Sequence, residues 1–256
     1  MLRARWQEML DRMLGDPGPS DGEATRLGRE AYERGDYAQA LEHWPKHLRH
    51  DRQALDPLRQ GNSPREAAMN IDQAQRDFFV SAWQSDIFNQ VLDTRVRDGS
   101  FCQLREGDLA FLHGNRAVFA VTAEDVEKEN APDGRIASFE VSPSGPMWGK
   151  DMTWAKGAVG ELEEQKLTES GLTKDMLEGV DDAPTAHGSR RPLRVPVIDP
   201  DFSGGADEHG PYLRVAFELP RGSYATVVLR EIMKNEGLER QAYDRSGSAA
   251  KAASAD

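Results

Sequence analysis

The stretch Leu219 to Glu231, LPRGSYATVVLRE, carries an aromatic residue where a strand pattern gives way to a helix pattern. Tyr224 stands there beside Gly222, Ser223 and Ala225, with Arg221 just before them. A flat side chain among small neighbours is a platform for a nucleobase drawn out of its stack. The free N–H groups of a helix start favour a nearby anion, Ser223 is positioned to cap that start, and Arg221 suits a phosphate. The competing reading of Tyr224 is a core aromatic at a strand–helix junction. Upstream, HGSRRPLRV gathers Arg190, Arg191 and Arg194. In an extended strand Arg190 and Arg194 share one face and Arg191 takes the other. Guanidinium groups so spaced suit phosphate contact, and the alternative is structural pairing with the acidic segment before them.

Other chemistry-bearing groups do not converge. His43, His47 and His50 have the spacing of metal ligands on one helical face, but Pro45 breaks that helix and no carboxylate stands at a matching position, so no metal is expected. SGPMWGKD echoes a phosphate loop. Only three residues separate Gly145 from Gly149, however, and Asp151 stands where a magnesium-binding hydroxyl belongs. Cys102 is the single cysteine, so it forms no intramolecular disulfide and no Cys-rich zinc site. It reads as a buried small hydrophobe in a reducing compartment.

The elements that must position these residues follow from patterning. The 256 residues suffice for one large or two modest domains. No apolar run reaches membrane-spanning length, and the N-terminus lacks the unbroken apolar stretch of a signal peptide, so a cytoplasmic protein is expected. The net charge of −12 is uneven. Residues 121–182 hold fifteen acidic against six basic side chains, whereas 183–236 hold seven of each, which leaves room for a local basic face. Helical spacing predicts helices over 1–14, over 23–44 with a break at Gly35-Asp36, and over 72–98, with a polar, Pro-bearing region from Pro45 to residue 70. In the third helix, Phe78, Ala82, Ile87 and Val91 together with Phe79, Trp83, Phe88 and Leu92 form the expected core stripe. DLAFL and AVFAV flank HGNR as a hairpin turning at Gly114-Asn115. An acidic helix at 123–130, a turn-rich stretch at 142–152, two short surface helices from Lys156 to Val180, extended structure from His187 and a loop at 203–210 follow. YLRVAFEL is a strand, and the last helix runs from Ser223 to Asn235, with Arg230 and Glu231 paired. Residues 237–256 read as a disordered tail.

Two resemblances emerge. LGREAYERGDYAQALEHW resembles one tetratricopeptide repeat; a lone copy is a helical hairpin packed on another domain. LPRGSYATVVLRE resembles the C-terminal motif of the TruD family of tRNA pseudouridine synthases. SAWQSDIFNQVLDTRVRDG is similar to that family's long helix, and GDLAFLHGNRAVFAV, SPSGPMWGKDM and GSRRPLRVP fall between them in the family's order. The resemblance covers about residues 25–236. It implies an α+β protein: a partial catalytic domain, antiparallel sheet with helices, plus an inserted α/β TRUD domain. Residues 1–74 would be helical catalytic-domain structure, 75–192 the insert, and 193–236 the returning strand and helix.

The implied reaction breaks the uridine N1–C1′ bond, rotates the base and rejoins it through C5, without a cofactor. It implies tRNA as partner, neither DNA nor membrane, and a monomer. Tyr224 matches the position of an active-site aromatic. The family's nucleophilic aspartate belongs to a Gly-x-Lys-Asp-x-x-Ala-x-Thr motif, and neither it nor the Asn-x-Phe-Gly motif after it stands in these 256 residues. GKDMTWAKG departs from that motif, so the role does not pass to Asp151. The chain therefore reads as the latter part of a TruD protein, truncated. A non-catalytic RNA-binding remnant and a helical protein-interaction module are the alternatives.

Overall fold

The computed structural model of the chain describes residues 2–178 and 187–234. The chain divides into two units, meeting at Arg194 and Val195. Helices and antiparallel sheets make it α+β.

The first unit begins with α1 (Trp6–Leu14), α2 (Glu23–Glu33), α3 (Tyr37–His43), α4 (Arg49–Arg59) and α5 (Pro64–Met69). They share a core that includes Leu10, Leu14, Tyr32, Trp44, Leu55 and Ile71. The α2–α3 hairpin turns at Gly35 (φ 75°), and Asp36 caps α3 by accepting the Gln39 N–H at 3.0 Å. Gly28 lies so close to Trp44 that a Cβ would stand 2.7 Å from the indole. The polar, Pro-bearing region that leads to residue 70 holds α4 and α5. Pro57 sits inside α4 and removes the N–H that would reach the Gln53 carbonyl. Asn70 Nδ2 donates to that carbonyl at 2.7 Å, so the helix keeps its bond from a side chain.

The long helix α6 spans Gln73–Arg97 and ends at Gly99 (φ 74°). Its buried residues are Val80, Gln84, Ile87, Phe88, Val91 and Arg95. The expected stripe is therefore corrected, since Phe78 is 63% exposed and Ala82 is also exposed. Two polar side chains set the buried face. Gln84 Nε2 donates to the Trp148 carbonyl at 2.7 Å, and Arg95 grips Asp108 with two nitrogens at 2.8 and 3.1 Å.

α6 packs on a four-stranded antiparallel sheet of order β2-β1-β3-β4, formed by β1 (Leu109–Leu112), β2 (Val118–Ala120), β3 (Val141–Met147) and β4 (Ser189–Pro192). The hairpin β1–β2 registers Leu109 with Ala120. The turn-rich stretch is in fact the inner strand β3. Its first half pairs with β1 through Val141–Pro143 and its second half with β4 through Ser144–Met147. Between the strands lie α7 (Ala123–Glu129), α8 (Gly157–Glu169) and α9 (Lys174–Glu178). α8 is less superficial than expected, because it buries Val159, Glu163 and Leu167. Cys102 is half-exposed rather than buried.

The second unit is a hairpin, β5 (Ile198–Asp207) and β6 (Gly210–Glu218), followed by α10 (Ala225–Met233). The loop expected at 203–210 is mostly strand; Asp207 pairs with Gly210 around Glu208-His209. No residue from 195 to 234 is buried. Asn235, the residue-237–256 stretch and the end of the second surface helix lie outside the described residues.

Candidate nucleic-acid interface

In the second unit the junction is built by a turn. The Ser223 N–H bonds the Pro220 carbonyl at 3.1 Å, with Gly222 at φ 89°. A positive φ at the third position is the requirement of a type II turn, which explains the glycine. Arg221 sits exposed at the corner. α10 starts later than expected. Tyr224 holds the N-cap position with extended backbone, no side chain caps the helix, and Ser223 does not serve as the cap. Tyr224 is 69% exposed, in a unit where no described residue is buried. Glu231 pairs with Lys234 at 2.6 Å in place of the expected Arg230.

In the first unit two of the three arginines are held by serines. Ser142 and Ser144, two apart on β3, lie on one face. Arg190 Nε donates to Ser144 Oγ at 3.1 Å, and Arg194 Nε to Ser142 Oγ at 3.1 Å, so Arg190 and Arg194 share that face. Arg190 also grips Glu163 on α8 at 2.7 and 2.8 Å. Both side chains are almost wholly buried, and burial pushes the Glu163 carboxyl up against the pull of Arg190. This is the pairing with the acidic segment that competed with phosphate contact. Sequence reading missed Glu163 because its helix looks solvated. The signal was the spacing of Val159, Glu163 and Leu167 along one face.

Arg191 takes the other face, its guanidinium 5.1 Å from the centre of the Phe88 ring. Arg194 lies 4.1 Å from the Phe139 ring centre and donates to the Ile136 carbonyl. Ser142 Oγ accepts from Arg194 and lies 2.9 Å from His113 Nε2. Burial, with Arg194 beside it, holds the His113 pKa below the usual imidazole value. Asp151 is exposed and paired with His187 at 2.5 Å. Among the described residues no cluster of His, Cys, Asp and Glu could hold a metal, and no helix is long and apolar enough to cross a membrane.

The described geometry offers two chemistries: an exposed aromatic beside an arginine, and a sheet face where guanidiniums are held by buried partners. Comparison with known proteins gives the family. The family model "tRNA pseudouridine synthase D (TruD)" matches residues 1–232. The tRNA pseudouridine synthase D of Geobacter sp. (strain M21) is 40% identical over 237 residues, covering 92% of this chain and 56% of that protein. That of Geobacter sulfurreducens is 40% identical over 241 residues, covering 93% and 55%. A crystal structure described as tRNA pseudouridine synthase D from Methanosarcina mazei matches with a TM-score of 0.76 at 27% identity, over 93% of this chain and 56% of its own. The chain spans about half the length of the curated relatives it matches.

Proposed function

Because the chain belongs to the TruD family of tRNA pseudouridine synthases, we propose that it is the RNA-engaging latter part of an enzyme that isomerises uridine to pseudouridine in tRNA. The match over residues 1–232 carries this reading. In the reaction the N1–C1′ bond breaks, the base turns, and C5 bonds to C1′; the C5 proton is lost and N1 gains one, so no redox partner or cofactor is needed. Tyr224 is the surface on which the target uracil lies, and its exposure supports that role. Arg221 meets the adjoining phosphate. Arg191 and Arg194 add positive potential along one end of the sheet, and Arg190 holds that sheet against α8.

The nucleophilic aspartate is supplied by the part of the family fold that the chain does not span. Residues 1–74 and 193–236 belong to the catalytic domain and 75–192 to the insert. The protein acts as a monomer in the cytoplasm, on RNA and not on DNA.

Titration of unmodified tRNA transcript with the 256-residue chain tests the binding half of this reading. Affinity is expected to fall steeply and log-linearly with salt, with little or no pseudouridine formed. Absent or salt-insensitive binding overturns it.

A further inference from the structure

The first unit carries a groove that the proposed chemistry does not use. It has a volume of about 550 Å³, within the range of small-ligand sites. Its floor is apolar and aromatic, with Phe79, Val80 and Trp83 from α6. Its rim carries three guanidiniums, Arg3, Arg5 and Arg12, against one carboxylate, Glu8.

That balance is unusual for a chain of net charge −12. Glu8 is contacted by Arg5 at 3.2 Å and by Arg12 at 3.4 Å, in exposed pairs that a stronger anion displaces at little cost. Arg3 lies against Gly171, which follows α8 at φ 79°; a Cβ there would stand 2.9 Å from Arg3 Nη1. Aromatic rings below and phosphate-seeking groups above are the two halves of a single-stranded nucleotide site. An apolar peptide would fit the floor equally well but would leave the cationic rim unanswered.

We propose that this groove holds an unpaired nucleotide of a bound RNA strand, its base against Phe79 and Trp83 and its phosphates toward Arg3, Arg5 and Arg12. This rests on the reading of the chain as an RNA-engaging protein, and it adds a contact separate from Tyr224. The groove lies wholly within residues 2–172.

The test irradiates the full chain with an oligouridylate of about ten residues carrying one 5-iodouridine, then maps adducts after trypsin. Adducts are expected in the peptide 77–95, which holds Phe79 and Trp83. The double variant Arg3→Glu/Arg12→Glu changes only exposed side chains. It is expected to lose those adducts and to weaken the oligonucleotide by about tenfold or more at fixed salt, with an unchanged circular dichroism spectrum. The same charge change at exposed Arg34 and Arg59, outside the groove, is expected to alter neither.

Adducts confined to other peptides overturn the groove while leaving the RNA reading in place. Equal competition by inorganic polyphosphate overturns the base contact, and equal competition by UMP overturns the strand. A peptide that displaces no oligonucleotide yet occupies the groove overturns the choice of RNA. Pseudouridine formation is read separately, so failure here and failure of the proposed activity are distinguishable.

Discussion

Two serines on one strand hold Arg190 and Arg194. Ser144 and Ser142 accept from Arg190 and Arg194, and Glu163 completes the first of these contacts in a buried ion pair. Arg190→Ala is expected to lower the unfolding free energy by about 3–5 kcal/mol, because it strands a buried carboxylate. Glu163→Gln is expected to cost less, since the amide still accepts from the guanidinium. Urea denaturation of both variants checks the order. His113 gives a pH signature. Its folded pKa lies below its unfolded value, so the stability it contributes is present above the unfolded pKa and is lost as pH falls through the folded one. Between about pH 7 and about pH 5 the wild-type urea midpoint is expected to fall more than that of His113→Gln. The alternation of Arg190, Arg191 and Arg194 was legible in the sequence because a strand has period two. The partners were not, since Ser142, Ser144 and Glu163 meet them only through tertiary contacts 27 to 52 residues away.

At the scale of elements, periodicity located α1, the α2–α3 pair, α6 and the β1–β2 hairpin, where apolar residues recur with one period and glycine or proline marks the ends. It failed where other residues replace the missing signal. β3 contains Pro143 and Pro146, which argue against a strand, yet its two halves pair with different neighbours and Ser144 Oγ bonds the Leu109 carbonyl at 2.5 Å. α4 contains Pro57, and the carbonyl that proline leaves open is bonded by Asn70. Asn70→Ala is expected to destabilise the chain by about 1 kcal/mol. In a Pro57→Ala background, where a backbone N–H can take that carbonyl, the same substitution is expected to cost clearly less. A double-mutant cycle by thermal or urea unfolding measures the difference, and equal costs would show that the two groups are not coupled.

At the scale of the molecule, the two units differ in how far each satisfies itself. The first has three buried clusters. The described residues of the second form a two-stranded sheet and one helix with no buried residue among them, and Phe202, Leu213, Tyr224, Val227 and Met233 are at least half exposed. A lone two-stranded hairpin is at best marginally stable. The family and the aromatic at the head of α10 were legible because short motifs keep their order along the chain. The accessible Tyr224 and the turn that presents it depend on a glycine at positive φ, which sequence suggests only as a turn. On the proposed function, residues 1–232 supply the tRNA-engaging wall of a pseudouridine synthase whose nucleophile lies in the part they do not span. The most direct test replaces the matched stretch of the Geobacter sp. (strain M21) relative with residues 1–232 of this chain and quantifies pseudouridine in unmodified tRNA by mass spectrometry. The account predicts that the chimera modifies tRNA, that Tyr224→Ala in it reduces the rate at least tenfold, corresponding to about 1.4 kcal/mol of lost base contact, and that the 256-residue chain alone forms none. A folded chimera without activity, or a chain active by itself, would contradict it.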